Sequence, residues 1–226
     1  MDIALKRTHL KLKHDVEGLP TNLKIIKAFS DYGVTPLSGA RLAEGRAMAA
    51  SLISPDVVST ETAQGIFDHC GMGLFGVTEA ALQKEAASDG DESPLVGIFG
   101  MLPVNQLGYD AIYNDTFIGT APSKEHLCSH TQEPVAIFGW GIASYRRSGA
   151  YLFVHLGAMI NEYVVPDLRW FTKAATNLGE KLIVKKLQYA PVPGSKIGSL
   201  FYPSFNELVA GQSALADSQV QEEQAA

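Results

Sequence analysis

The sequence predicts an α+β domain: a mostly antiparallel sheet flanked by helices. Three observations lead there. The first 87 residues place apolar side chains at helical spacing between capping and glycine stop signals. A polar, turn-rich stretch, SDGDESP from Ser88 to Pro94, then interrupts the chain. After it, short apolar or alternating runs follow one another between turn residues. The 226 residues are 46% hydrophobic and 19% charged, enough to bury a sizeable core as one large domain, and no internal repeat is visible. Within that domain, residues 1–87 read as a basic arm and helical part, and 95–208 as a sheet-rich part. Residues 213–226 (ALADSQVQEEQAA and its preceding serine) contain no aromatic residue and are expected to be a disordered tail.

Taken in order, the N-terminus carries Lys6, Arg7, Lys11 and Lys13 against Asp2 and reads as an edge strand or an arm. TNLKIIKAFSDYG is a helix whose Leu23, Ile26 and Phe29 share a face, with Gly33 as its stop. Ser38 caps a second helix carrying Leu42, Met48, Ala49 and Leu52. A third begins near Thr60 and frays at Gly71 and Gly73, and Thr78 caps a fourth, TEAALQKEAAS. The strand runs are LVGIFGMLP, YDAIYND, PVAIFGWGIAS, AYLFVHLG and KLIVKKLQYAP, with the loop TFIGTAPSKEHLCSHTQ between the second and third. VVPDLRWFTKAATNLG reads as a helix from Pro166, Asp167 and the terminal Gly179, although Trp170 and Phe171 suit a strand equally well.

A formal charge of −6 argues against general nucleic-acid binding. Two cysteines, Cys70 and Cys128, leave a disulfide unforced and point to a reducing compartment. The N-terminus lacks the apolar core of a secretory signal, and no apolar run approaches the roughly 20 residues of a membrane span, so a cytoplasmic protein is expected. Phosphate-binding glycine loops, nucleophile elbows, HExxH and paired CxxC motifs are all missing.

Several residues have side chains suited to chemistry. His69, in FDHCGMG, and His155, in an apolar run, are candidate bases, because imidazole accepts a proton near neutral pH. His126 and His130 flank Cys128 in HLCSH, a metal-like spacing without a fourth ligand, so no metal is expected. Gly139 and Gly141 bracket Trp140, which suits either a core tryptophan at a strand bend or a bulge with close backbone approach.

One ordered set in the second half points to a family. Pro103, Gln106 and Tyr109 are followed by Pro134-Val135-Ala136, Trp140 and Ser144, then Tyr151-Leu152, Trp170-Phe171 and Gly179. This order resembles the toxin-activating lysine-acyltransferases that act on RTX haemolysins, over roughly residues 95–205. The resemblance implies a GNAT-like fold that moves a fatty acyl group from acyl carrier protein to a lysine of a protoxin, with no other cofactor. It would make Gly139, Trp140, Gly141 and Ser144 substrate-binding, while the catalytic base would be a histidine outside the family's usual position, His155 ahead of His69. Arg146, Arg147, Lys185 and Lys186 would belong to a basic patch, with Arg169, Lys173 and Lys181, that docks the acidic carrier; a homodimer is compatible with it. Two positions depart from the family. Ala81 stands where it has a histidine, and Lys173 stands where it has an aspartate. Those departures favour a second class, a non-enzymatic accessory protein, phage- or secretion-associated, that keeps the fold.

Overall fold

The computed structural model describes residues 12–13, 15–83, 93–173, 177–185, 190–192 and 200–202. Most of the N-terminal arm, most of the Ser88 to Pro94 loop, Lys186 and the 213–226 tail lie outside the described residues.

The helical first part is built largely as its sequence reads. α1 (Thr21–Ser30) opens it, and after the short strand β1 (Val34–Pro36) come α2 (Gly39–Leu52) and α3 (Thr60–Cys70). The buried face of α1 is Ile25, Ala28 and Phe29 rather than the face through Leu23, which is exposed. Ser38 holds the N-cap position of α2 without a side-chain bond. Instead the Gly39 N–H donates to Gln64 Oε1 at 2.9 Å, so α3 caps α2. Ser59 caps α3 by accepting from the Thr62 N–H, and Gly71, at φ 70°, closes it in the left-handed region where a side chain would strain.

The strand β2 (Leu74–Thr78) follows directly, in a stretch that reads as the frayed end of a helix. Thr78 Oγ1 accepts from the Ala81 N–H at the start of α4 (Glu79–Gln83). β3 (Leu95–Val104) then leads into α5 (Gln106–Tyr113). YDAIYND is therefore helical, not a strand: Asn105 caps it through Gly108, and Gly108, Ala111 and Ile112 are buried at helical spacing. A 3₁₀ turn (Lys124–His126) lies in the long loop before β4 (Ala136–Ser144).

AYLFVHLG is also a helix. It belongs to α6 (Arg147–Tyr163), where Phe153, Leu156 and Ile160 repeat every three or four residues once the whole segment is considered. The WFTK segment is the reverse case, a strand, β5 (Arg169–Lys173), with Trp170 and Phe171 both buried. A strand covered on both faces shows no alternation for a sequence reading to find. α7 (Asn177–Lys185) takes most of what reads as the KLIVKKL strand, and β6 (Ala190–Pro191) and β7 (Leu200–Tyr202) complete the described elements.

These strands form one seven-stranded sheet in the order β1-β2-β3-β4-β5-β7-β6. Among the described residues every strand pairing is antiparallel except β4 with β5. The fold is thus α+β with a mostly antiparallel, mixed sheet between helices. Alternate residues of β2 divide between two apolar clusters. Phe75 and Val77 join Ile25 and Phe29 of α1 and Phe153 and Leu156 of α6, while Leu74 joins Leu42, Met48 and Ala49 of α2. α1 and α6 therefore cover one face and α2 the other. No helix among the described residues is long and apolar enough to cross a membrane.

Candidate functional site

The parallel pair among the described strands leads to a pocket. Among the described residues β4 and β5 are paired from Ala136–Arg169 to Gly139–Thr172, and β4 runs on to Ser144. At that point β4 also bulges. Gly141 faces Gly100 and Gly139 faces Met101, which leaves Trp140 as the extra residue against β3. The flanking glycines make this packing feasible. A Cβ on Gly139 would lie 3.3 Å from Thr172 Oγ1 and 3.4 Å from the Phe171 carbonyl oxygen, and one on Gly100 would lie 2.9 Å from Trp140 Cβ.

A pocket of about 420 Å³ opens where the strands part. One wall is α2 and the loop after it, through Ala49, Ile53, Val57 and Val58. Phe138 to Gly141 form the opposing wall, and Gly119 and Thr120 reach over from the loop before β4. The lining is mainly apolar. Its charged members are Arg46, Asp56 and Lys173. Arg46 Nε donates to the Val58 carbonyl at 3.3 Å, holding the loop against α2, and Lys173 Nζ lies 3.7 Å from Asp115 Oδ1. Trp140 Nε1 donates to the Gly119 carbonyl at 2.5 Å.

Trp140 is half-buried and lines this pocket rather than filling the core. Trp140→Ala is therefore expected to destabilise by about 1–2 kcal/mol, less than the roughly 3–5 kcal/mol of a fully buried aromatic truncation. A urea melt measures it, and a loss of the larger size would place the ring in the core.

Gly139, Trp140 and Gly141 thus meet at one pocket, and the other candidates lie elsewhere. Ser144 sits at the corner from β4 to α6, where its hydroxyl is 2.8 Å from the Val96 carbonyl and 2.7 Å from that of Arg146. His155 is on α6, its ring 6.3 Å from that of Tyr151, and burial lowers its pKa below the ordinary imidazole value. His69 ends α3, with its Nε2 buried and without a hydrogen-bond partner among the described residues. Neither histidine lines the pocket. Arg146 is paired with Glu79, while Arg147 and Lys185 are exposed. His126, Cys128 and His130 do not converge: the His126 ring packs 6.0 Å from that of Phe117, Cys128 is buried and His130 is exposed.

Sequence reasoning missed Ala49, Ile53, Asp56 and Asp115. They reach the site through strand order and the packing of α2, and no local pattern marks them. A second, more polar pocket of about 330 Å³ is also new, lined by Tyr109, Tyr113, Arg169 and Phe171. There Arg169 Nη1 donates to the Tyr109 hydroxyl at 2.7 Å.

Comparison with known proteins gives no identification: no family model matches the chain, and neither a curated protein nor a solved structure matches it significantly.

Proposed function

We propose that this chain is a GNAT-like acyltransferase that moves a fatty acyl group from the pantetheine thioester of acyl carrier protein to a lysine side chain of a protein. The observation that carries the reading is the mainly apolar pocket at the β4 bulge, where the described pairing of β4 with β5 ends. Past Gly139, no backbone pairing of β4 with β5 occurs among the described residues. An extended, amide-bearing pantetheine arm is suited to such an edge, as an added strand would be. The acyl chain then has the wall of Ala49, Ile53 and Val57 to lie against.

In this reading the lysine nitrogen attacks the thioester carbonyl carbon, the carbon–sulfur bond breaks, and the carrier thiol leaves with a proton. Backbone N–H groups of β4 beyond the bulge are the donors for the oxyanion. Asp56 is the carboxylate at the pocket, placed to receive the lysine ammonium and its proton. His155 and His69 become comparison positions. Arg147 and Lys185 remain the exposed cations for an acidic carrier.

The test is a mass shift on a lysine-bearing substrate incubated with acyl carrier protein thioesters. Transfer is expected from wild type, and about 100-fold slower from Asp56→Asn, the low end of general-base contributions. Wild-type protein that transfers from no thioester sinks the enzyme reading. Ala81 and Lys173, standing where the family has its histidine and aspartate, favour the accessory-protein reading in that event.

A further inference from the structure

The loop between α5 and the 3₁₀ turn lines the pocket through Gly119 and Thr120, and it is tied to both β4 and β5. Trp140 on β4 donates its indole N–H to the Gly119 carbonyl at 2.5 Å. Lys173 on β5 lies 3.7 Å from Asp115 Oδ1. Both ties lie one residue beyond the last described pair of the two strands, Gly139–Thr172. Between them, the Phe117 ring packs 5.1 Å from that of Phe138. Among the described residues the loop pairs with no strand. Its backbone bonds are local, from the Thr116 and Phe117 N–H groups to the Ala111 carbonyl and from Ala121 to Ile118. Ile118 stands 62% exposed at its crest. Asp115, at its base, is the one non-glycine residue with positive φ among the described residues, at 61°.

We propose that residues 115–121 are an autoinhibitory lid, latched by Trp140 and Asp115–Lys173 and released when an acyl chain enters the pocket. The proposal rests on the acyl-transfer reading for the identity of the ligand. Two features make the latch releasable. The ion pair is about half exposed on both sides, 49% and 48%, where such pairs stabilise little. Trp140 is at once the latch and a pocket wall, so a chain lying along the indole competes with Gly119 for its position. A ligand shifts such an equilibrium only by binding the open state better.

The test measures dodecanoyl pantetheine binding and amide hydrogen exchange over 115–121 in wild type, Trp140→Phe and Asp115→Asn. Trp140→Phe keeps an aromatic wall and loses the donor. Asp115→Asn cuts the ion pair, and asparagine tolerates the left-handed backbone. Exchange across 115–121 is expected to rise in both variants. Binding is expected to tighten roughly three- to ten-fold in Trp140→Phe and about two-fold in Asp115→Asn, because less of the protein is held closed. Unchanged exchange in Trp140→Phe overturns the lid, as does binding that is unaltered or weaker in both variants, or a probe that binds none of the three proteins. Probe binding with the expected variant behaviour, but without transfer from any thioester, leaves the lid standing and removes the enzyme. Transfer by wild type with unresponsive variants does the reverse.

Discussion

In the native protein at pH 8, Cys70 is expected to react with iodoacetamide roughly a thousand-fold more slowly than in the denatured chain, because only the thiolate is nucleophilic. Cys70 is fully buried at the end of α3, and burial, with a smaller contribution from nearby Cys128, pushes its pKa from 9.0 up to about 12. Cys128, also buried, is pushed up to about 11, first by burial and then by Glu133. The same shifts set a stability profile. A thiol that holds its proton more tightly folded than unfolded contributes stability that is intact below pH 9 and drains away as pH rises towards 11 and 12. Urea midpoints should therefore fall above pH 9, and less steeply in Cys70→Ser. Mass spectrometry of alkylated peptides, native against guanidinium-treated, checks the rate. Comparable rates in the two states would show an accessible thiolate and remove the burial argument.

Local signals in this chain were legible where one segment carries its own start, face and stop. α3 is the clearest case, with Ser59 accepting from Thr62 and Gly71 at φ 70°. β3 and β4 were legible for the same reason, as long apolar runs between turns. The errors cluster where a short window hid the period. AYLFVHLG stops before Met159 and Ile160, the residues that extend the α6 repeat, and YDAIYND begins after Asn105 and Gly108, the cap and the first buried position of α5. β5 misled in the opposite direction, because Pro166 and Asp167 resemble a helix start while Trp170 and Phe171 are simply buried on both faces.

The site was half legible. Two glycines around a tryptophan signal a strand irregularity, and the bulge occurs there. Its far wall was not legible, since Ala49 and Ile53 meet Trp140 only through the packing of α2 over β4. Lys173 shows the limit of reading by position. In the sequence it stands as one cation of a basic patch and as a departure from the resemblance, whereas in three dimensions Asp115, 58 residues earlier in the numbering, supplies a carboxylate beside it at 3.7 Å.

Phe75→Ala is expected to destabilise the fold by about 3–5 kcal/mol, the range for truncating a buried aromatic ring. Phe75 lies in β2, between β1 and β3, where Pro36 and Phe99 are its cross-strand partners. It is 0% exposed, and its ring stacks on that of Phe29 from α1, with centroids 4.8 Å apart. Phe29 in turn contacts Phe99 at 6.0 Å, and Phe99 contacts Phe153 of α6 at 5.7 Å, so one aromatic chain joins α1, the sheet and α6. Removing Phe75 leaves a cavity that backbone cannot close, because β2 is hydrogen-bonded on both sides. At about 2–4 °C per kcal/mol for a chain of this size, Tm should fall by roughly 10 °C. Leu107→Ala is the matched control: that side chain is 60% exposed on α5, and its loss should stay within about 0.5 kcal/mol. Equal midpoints for the two variants in a urea melt would place Phe75 outside the cooperative core. That result would also detach the α1 face from the strands that hold the pocket, since β2 carries Leu74 into the pocket wall and Phe75 into the opposite face.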